Sequence, residues 1–245
     1  MESLLKVMWE RHSARAPFDP QKPVPGRDIK KIIEAGRWAP TAHNMQNFEV
    51  IVVDDRNVLD RLGKVTTYPS PDFIRENFWQ LSMSEEELSH KKVGILGQQF
   101  PPGWRDGTNL EAAIRDRKPG TLAETIKGSP AVIVVVYDTR KRAPASEGDV
   151  LGMLSLGCVM ENMWLMAEEL DVGFQVMSVF GGSAQADVKN ILKIPPHMAV
   201  SFAVRLGYPA EQPGYLRVRR DPESFVHRNE FGKRFGLDSD GKPWS

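Results

Sequence analysis

The chain has 245 residues, with 32 Lys+Arg against 32 Asp+Glu and 41% apolar residues, a composition that buries a sizeable core and excludes a disordered or fibrous chain. Because the formal charges cancel, a protein devoted to nucleic acid or to an anionic membrane is excluded, and any anion must be held by local clusters. Cys158 is the one cysteine, which excludes an internal disulfide framework and every CxxC motif and points to a reducing compartment, the cytoplasm.

In chain order, Leu4, Leu5, Val7 and Met8 recur at helical spacing, so residues 2–11 read as a short amphipathic helix. The acid at Glu2 stands where an export signal carries basic residues, so no such signal is expected. Four prolines between Pro17 and Pro25 break the next stretch, and Asp28 then opens a helix whose Ile29, Ile32, Ile33 and Gly36 share a face and which Pro40 stops. Residues 48–53 form a β-branched apolar run bounded by Asn47 and Asp54, read as a buried strand. A third helix is expected over residues 55–65.

From residue 66 to 129 the periodicity weakens, with proline breakers and scattered aromatics, and this stretch reads as a lid or insertion whose Phe100 and Trp104 line it. Residues 131–137 are the clearest strand; their seven apolar residues fall far short of the roughly 20 that a membrane span needs. Residues 148–170 form a long helix that is apolar round most of its circumference, which places it centrally or in a subunit interface. A strand over 173–180, a helix capped by Ser183 and ending near Leu192, and a strand over 198–206 complete one sheet-and-helix domain spanning residues 1–245.

Several chemical signatures fail. Residues 236–242 match a phosphate loop until Pro243 replaces the required Ser or Thr, and no strand precedes them. The five histidines never stand in a zinc-ligand pattern, so no metal is expected. Ser183 follows Gly181-Gly182 but lacks the glycine of a nucleophile elbow. No acid, base or nucleophile constellation emerges.

What remains is three polar clusters: Arg11-His12-Ser13-Ala14-Arg15 after the first helix, Ala39-Pro40-Thr41-Ala42-His43-Asn44-Met45-Gln46 between a helix and a strand, and Arg217-Val218-Arg219-Arg220 near the end. Singly, each is explained by a solvated helix end, a loop or a tail. In this order, together with Glu161-Asn162-Met163-Trp164 in the long helix, Ile194-Pro195-Pro196, Arg205-Leu206-Gly207-Tyr208-Pro209 and Phe225-Val226-His227, they resemble the nitroreductase family. The resemblance covers nearly the whole chain outside residues 66–129.

The resemblance implies an α+β fold, a mixed sheet flanked by helices in one domain that forms an intertwined homodimer, with FMN in each of two interface pockets. By it, Arg11, His12, Ser13 and Arg15 hold the flavin phosphate, ribityl chain and pyrimidine edge, Pro40, Thr41, Ala42 and Asn44 reach the other subunit's flavin, and Arg217 and Arg219 complete the phosphate site. The backbone contact to flavin N5 falls on Ser178 and Val179 by spacing from Gly173, and on Gly181-Gly182 by residue type. Three arginines contribute roughly 5–9 kcal/mol gross, comparable with the about 8 kcal/mol of a micromolar complex. The implied activity takes hydride from NADH or NADPH and passes electrons to a small-molecule acceptor, a nitroaromatic or quinone, by ping-pong kinetics. Two readings stand beside it: a specialised relative (a reductive dehalogenase or flavin-fragmenting enzyme), and a non-catalytic module binding a phosphorylated ligand.

Overall fold

The computed structural model describes residues 2–75, 86–87, 90, 110–146, 148–177, 183–210 and 219–234. Its elements in chain order are α1 (Glu2–Glu10), α2 (Gly26–Arg37), a 3-10 turn (Ala42–Asn44), β1 (Phe48–Val53), α3 (Arg56–Gly63), β2 (Thr66–Thr67), α4 (Leu110–Arg115), β3 (Gly120–Thr121), α5 (Leu122–Ile126), β4 (Ala131–Asp138), α6 (Val150–Glu169), β5 (Gly173–Met177), α7 (Ser183–Leu192) and β6 (Met198–Gly207), with a second 3-10 turn at Pro222–Ser224. The fold is α+β, as the family resemblance implies.

The chain forms two compact units, Met1–Tyr68 with Pro119–Pro213, and Pro69–Lys118 with Gly214–Ser245. In the first, four antiparallel strands run in the order β1-β4-β6-β5. β4 is central and covered on both faces, which is why its sequence is a continuous apolar run instead of an alternating one. Ile133 and Val135 face α2 and α6, where they join Ile29, Ile32, Val159, Met163 and Trp164. Val132, Val134 and Val136 face α3, α5 and α7 through Leu59, Leu62, Ile126 and Val188.

A register shift between Val135 and Val136 leaves one extra residue in β6. The inward parity of β6 therefore changes: Val200 packs on the α3 side and Phe202 on the α2 side, although they stand two apart. α2 approaches α6 closely because Gly36 has no side chain; a Cβ there would lie 2.8 Å from Met163 Cγ.

Several expectations are corrected. β1 lies at a sheet edge, so Glu49 and Val52 are exposed and the strand is only half buried. α2 starts at Gly26, with Asp28 inside its first turn, and Ser183 is the first residue of α7, not a cap before it. α6 is apolar enough by length and composition to cross a membrane, yet its Gly152, Leu156, Val159, Met163 and Ala167 are buried inside the protein. Thr66–Thr67 pairs with Gly120–Thr121, and α5 packs its Leu122 and Ile126 into the core, so these ends of the 66–129 stretch belong to the first unit. Phe100, Trp104, the strand end at 178–180 and the segment 236–242 lie outside the described residues.

In the second unit, α4 carries Glu111, which accepts from Arg75 Nη2 at 3.3 Å. Arg220 donates to Ser224 Oγ and to the Ser224 carbonyl. His227 accepts from the Gly232 N–H and packs on the Phe231 ring at 4.5 Å, so the Phe225-Val226-His227 segment has a local structural use.

Candidate functional site

α1 ends where Arg11 N–H closes the last turn on the Val7 carbonyl. The chain then runs along β5 and β6: Ala14 N–H donates to the Phe174 carbonyl, Phe18 N–H to Lys127, and Asp19 N–H to Tyr208. Ala14 is buried, because the chain passes so close to Gly173 that a Cβ there would lie 3.1 Å from the Ala14 methyl. Phe18 fills the slot above Gly207 and is also buried. Arg11, His12, Ser13 and Arg15 are left half-buried along this segment.

The Arg11 guanidinium lies 4.5 Å above the Trp164 ring, and its Nε sits 3.7 Å from Glu161 Oε1. That Nε is shielded from solvent and makes no hydrogen bond. His12 Nδ1 lies 3.5 Å from Glu168 Oε2, and the His12 carbonyl accepts from Trp164 Nε1 at 3.0 Å. Trp164 thus props up both residues from α6 and itself stacks on Phe174 at 5.2 Å. A cavity of about 200 Å³ adjoins His12, Glu168, Gly173 and Pro209.

Behind the segment stand two further cations. Arg205 of β6 is fully buried and donates to the carbonyls of Ala14 and Ala16. Lys127, which follows α5, donates to the Arg15 carbonyl. Burial, followed by repulsion from Arg205 and Arg15, pushes the Lys127 amine below its ordinary value. Positive groups are therefore held together at a cost that a bound anion would relieve.

The second cluster is anchored elsewhere on α6. Ala42 N–H donates to the buried Ser155 hydroxyl at 2.9 Å, and Ser155 in turn donates to the Leu151 carbonyl. His43, Asn44 and Gln46 all have φ between 43° and 53°, a strained conformation for side-chain-bearing residues that recurs at functional loops. Thr41 Oγ1 accepts from Gln46 N–H, and Asn44 Oδ1 accepts from Gln46 Nε2. Pro40 is exposed. Six residues of helix, or roughly 9 Å at 1.5 Å per residue, separate Ser155 from Glu161, so the two clusters meet α6 at distinct places.

Arg219 is exposed in the second unit, whereas Arg217, Ser178, Val179 and Gly181-Gly182 lie outside the described residues. Sequence reasoning missed Trp164 as the support of Arg11, Ser155 as the anchor of the 41–46 loop, and the pair Lys127 and Arg205. Arg205 had a visible signal, a charge interrupting an apolar strand. A further cavity of about 420 Å³ is lined by Glu49, Asp138, Arg140 and His197 and touches none of the residues named for cofactor binding. There, Arg140 donates to Asp138 and holds its carboxyl well below the usual carboxylate range. Among the described residues, no group of three or more His, Cys, Asp or Glu could hold a metal ion.

The model of the nitroreductase family matches residues 9–208, which include the whole of this segment, both clusters on α6 and the entire four-stranded sheet. The chain belongs to the nitroreductase family. Sequence relatives of this family member include an NADPH-dependent oxidoreductase of Staphylococcus aureus, 24% identical over 234 residues that cover 94% of this chain and 74% of the relative. A nitroreductase with bound FMN from Bacteroides fragilis has the same fold, at TM-score 0.57 and 18% identity over 94% of this chain and 100% of that one. An iodotyrosine deiodinase bound to FMN and 3-iodo-L-tyrosine also shares it, at TM-score 0.56 and 18% identity over 93% of this chain and 100% of that one.

Proposed function

We propose that the chain is a cytoplasmic, FMN-dependent NAD(P)H oxidoreductase that works as a homodimer, with FMN held against the Arg11–Arg15 segment. The observation that carries this reading is the buried Arg11 Nε without a hydrogen bond, on a segment whose Arg15 is one of a group of cations that repel one another. A buried donor of this kind fits a phosphate-bearing ligand, since charge-assisted hydrogen bonds are about twice as strong as neutral ones. Bound FMN supplies the redox chemistry, hydride uptake from NAD(P)H and electron delivery to a nitroaromatic or quinone in ping-pong order.

The chain's own residues then bind and orient. Arg11, steadied on the Trp164 face, together with Ser13 and His12 holds phosphate and ribityl oxygens, and Arg15 places positive charge at the pyrimidine edge. Pro40, Thr41, Ala42 and Asn44 reach the partner's cofactor, and Arg217 and Arg219 add charge for the phosphate. Ser178 and Val179 offer backbone donors to N5. Exposed apolar side chains on α1 (Leu4, Leu5, Met8, Trp9), on Trp38 and at the start of α6 (Val150, Met153, Leu154) support a dimer, because a lone soluble chain rarely exposes so many. The fold shared with iodotyrosine deiodinase supports reductive dehalogenation as a second reading.

Titration of apo-protein with FMN, followed by quenching of flavin fluorescence, tests this reading. The native chain binds at micromolar concentration or below, and Arg11→Ala weakens binding by 10-fold or more. Native protein that quenches nothing, yet binds inorganic phosphate or a phosphorylated sugar, supports the non-catalytic module instead.

A further inference from the structure

Three successive carbonyl oxygens, those of Ala14, Arg15 and Ala16, each accept a hydrogen bond from a cationic side chain of another element. Arg205 Nη2 donates to Ala14 at 2.7 Å and to Ala16 at 2.8 Å; Lys127 Nζ donates to the intervening Arg15 carbonyl at 3.2 Å. In an extended chain, groups two residues apart point the same way, so one guanidinium nitrogen can bridge the first and third carbonyls.

Arg205 occupies an inward position of β6 two residues after Ala203, in the layer of Met177 and Ile126. Its other donors reach Gln175 Oε1 at 2.7 Å, on the cross-strand neighbour, and the Ile126 carbonyl at 3.4 Å. Its guanidinium also lies 4.2 Å from the Phe18 ring, which fixes the far end of the same segment. Lys127 stands at φ 46°, the left-handed region, at the end of α5. There it acts twice on the segment, through Nζ to Arg15 and through its carbonyl, which accepts the Phe18 N–H at 3.1 Å.

We propose that Arg205 and Lys127 are positioning residues of the cofactor site, a two-cation clamp that fixes the backbone of residues 14–16 and thereby sets where Arg11, Ser13 and Arg15 present their side chains. This rests on the FMN reading above. Neutral amides would satisfy three carbonyls without the cost of desolvating two cations at close quarters. Cations also add positive potential to a segment that receives an anion, so a phosphate-bearing ligand offsets the cost that the clamp imposes on the unliganded chain.

The test compares native protein with Lys127→Met, Lys127→Gln and Arg205→Lys. It measures FMN affinity by fluorescence quenching, the thermal midpoint of each apo form, and amide hydrogen exchange across residues 12–18. Lys127→Met is expected to weaken FMN about 10-fold and to speed exchange in that segment, with the midpoint nearly unmoved; Lys127→Gln, which keeps a neutral donor, recovers part of the loss. Arg205→Lys loses at least as much, because an ammonium cannot reproduce the planar fork. If Arg205→Lys does not fold, the half-buried Lys127 decides by itself.

FMN affinity equal to native in folded Lys127→Met overturns the clamp while leaving the FMN reading intact. A lowered midpoint with undiminished affinity likewise makes these residues merely structural. Native protein that takes up no FMN overturns the functional reading itself, and the positioning role with it.

Discussion

Replacing Ser155 with alanine removes the hydroxyl that accepts from the Ala42 N–H, at a residue only 7% exposed. Leaving a shielded amide without its partner costs about 1–3 kcal/mol, and the better helix propensity of alanine within α6 returns about 0.5 kcal/mol. The net expectation is a loss of about 0.5–2.5 kcal/mol. Because the same bond holds the loop that carries His43, Asn44 and Gln46 at positive φ, the freed loop relaxes toward ordinary backbone angles, and FMN affinity falls with stability. Urea unfolding followed by intrinsic fluorescence measures the first effect, read as a lower midpoint at unchanged slope. Native stability in Ser155→Ala would refute the claim that this hydroxyl carries the loop.

Two further perturbations probe the surroundings. Gly207→Ala puts a Cβ 2.6 Å from Phe18 Cδ2 and 2.8 Å from Phe18 Cβ and Cγ, so overpacking should cost about 1–3 kcal/mol; scanning calorimetry should show a lower transition, and an unmoved one contradicts the packing. Glu34 accepts from Arg37 and then Trp38, which pulls its carboxyl from 4.5 to about 2. Its folded value lies below its unfolded one, so its stabilisation is complete above about pH 4.5 and is lost as pH falls through about 2. Carboxyl-detected NMR should follow this titration, and a native midpoint near 4.5 rules the contacts out.

The elements that could be read from residues alone are those whose pattern depends only on the local chain. The valine-rich run of β4 must be buried on both faces, and the all-round apolarity of α6 announces a helix covered by more than solvent. β1 misleads because an edge strand can carry an apolar run as β-branched as a central one, and only pairing partners reveal that Val52 faces solvent. For the site, the order of the Arg11, Thr41 and Arg219 clusters pointed to the family. The supports were illegible because their partners are remote in sequence: Ser155 stands 113 residues from Ala42, and Arg205 stands 191 from Ala14. A hydroxyl inside an apolar helix and a lone charge in a strand are weak signs until the fold brings those carbonyls and amides to them.

The most direct test of the central claim is the visible absorption spectrum of the freshly purified protein, followed by anaerobic addition of NADPH and, separately, NADH. The account predicts flavin bands that bleach with at least one of the two. Protein that is colourless, stays colourless after incubation with FMN and consumes neither nicotinamide would contradict it.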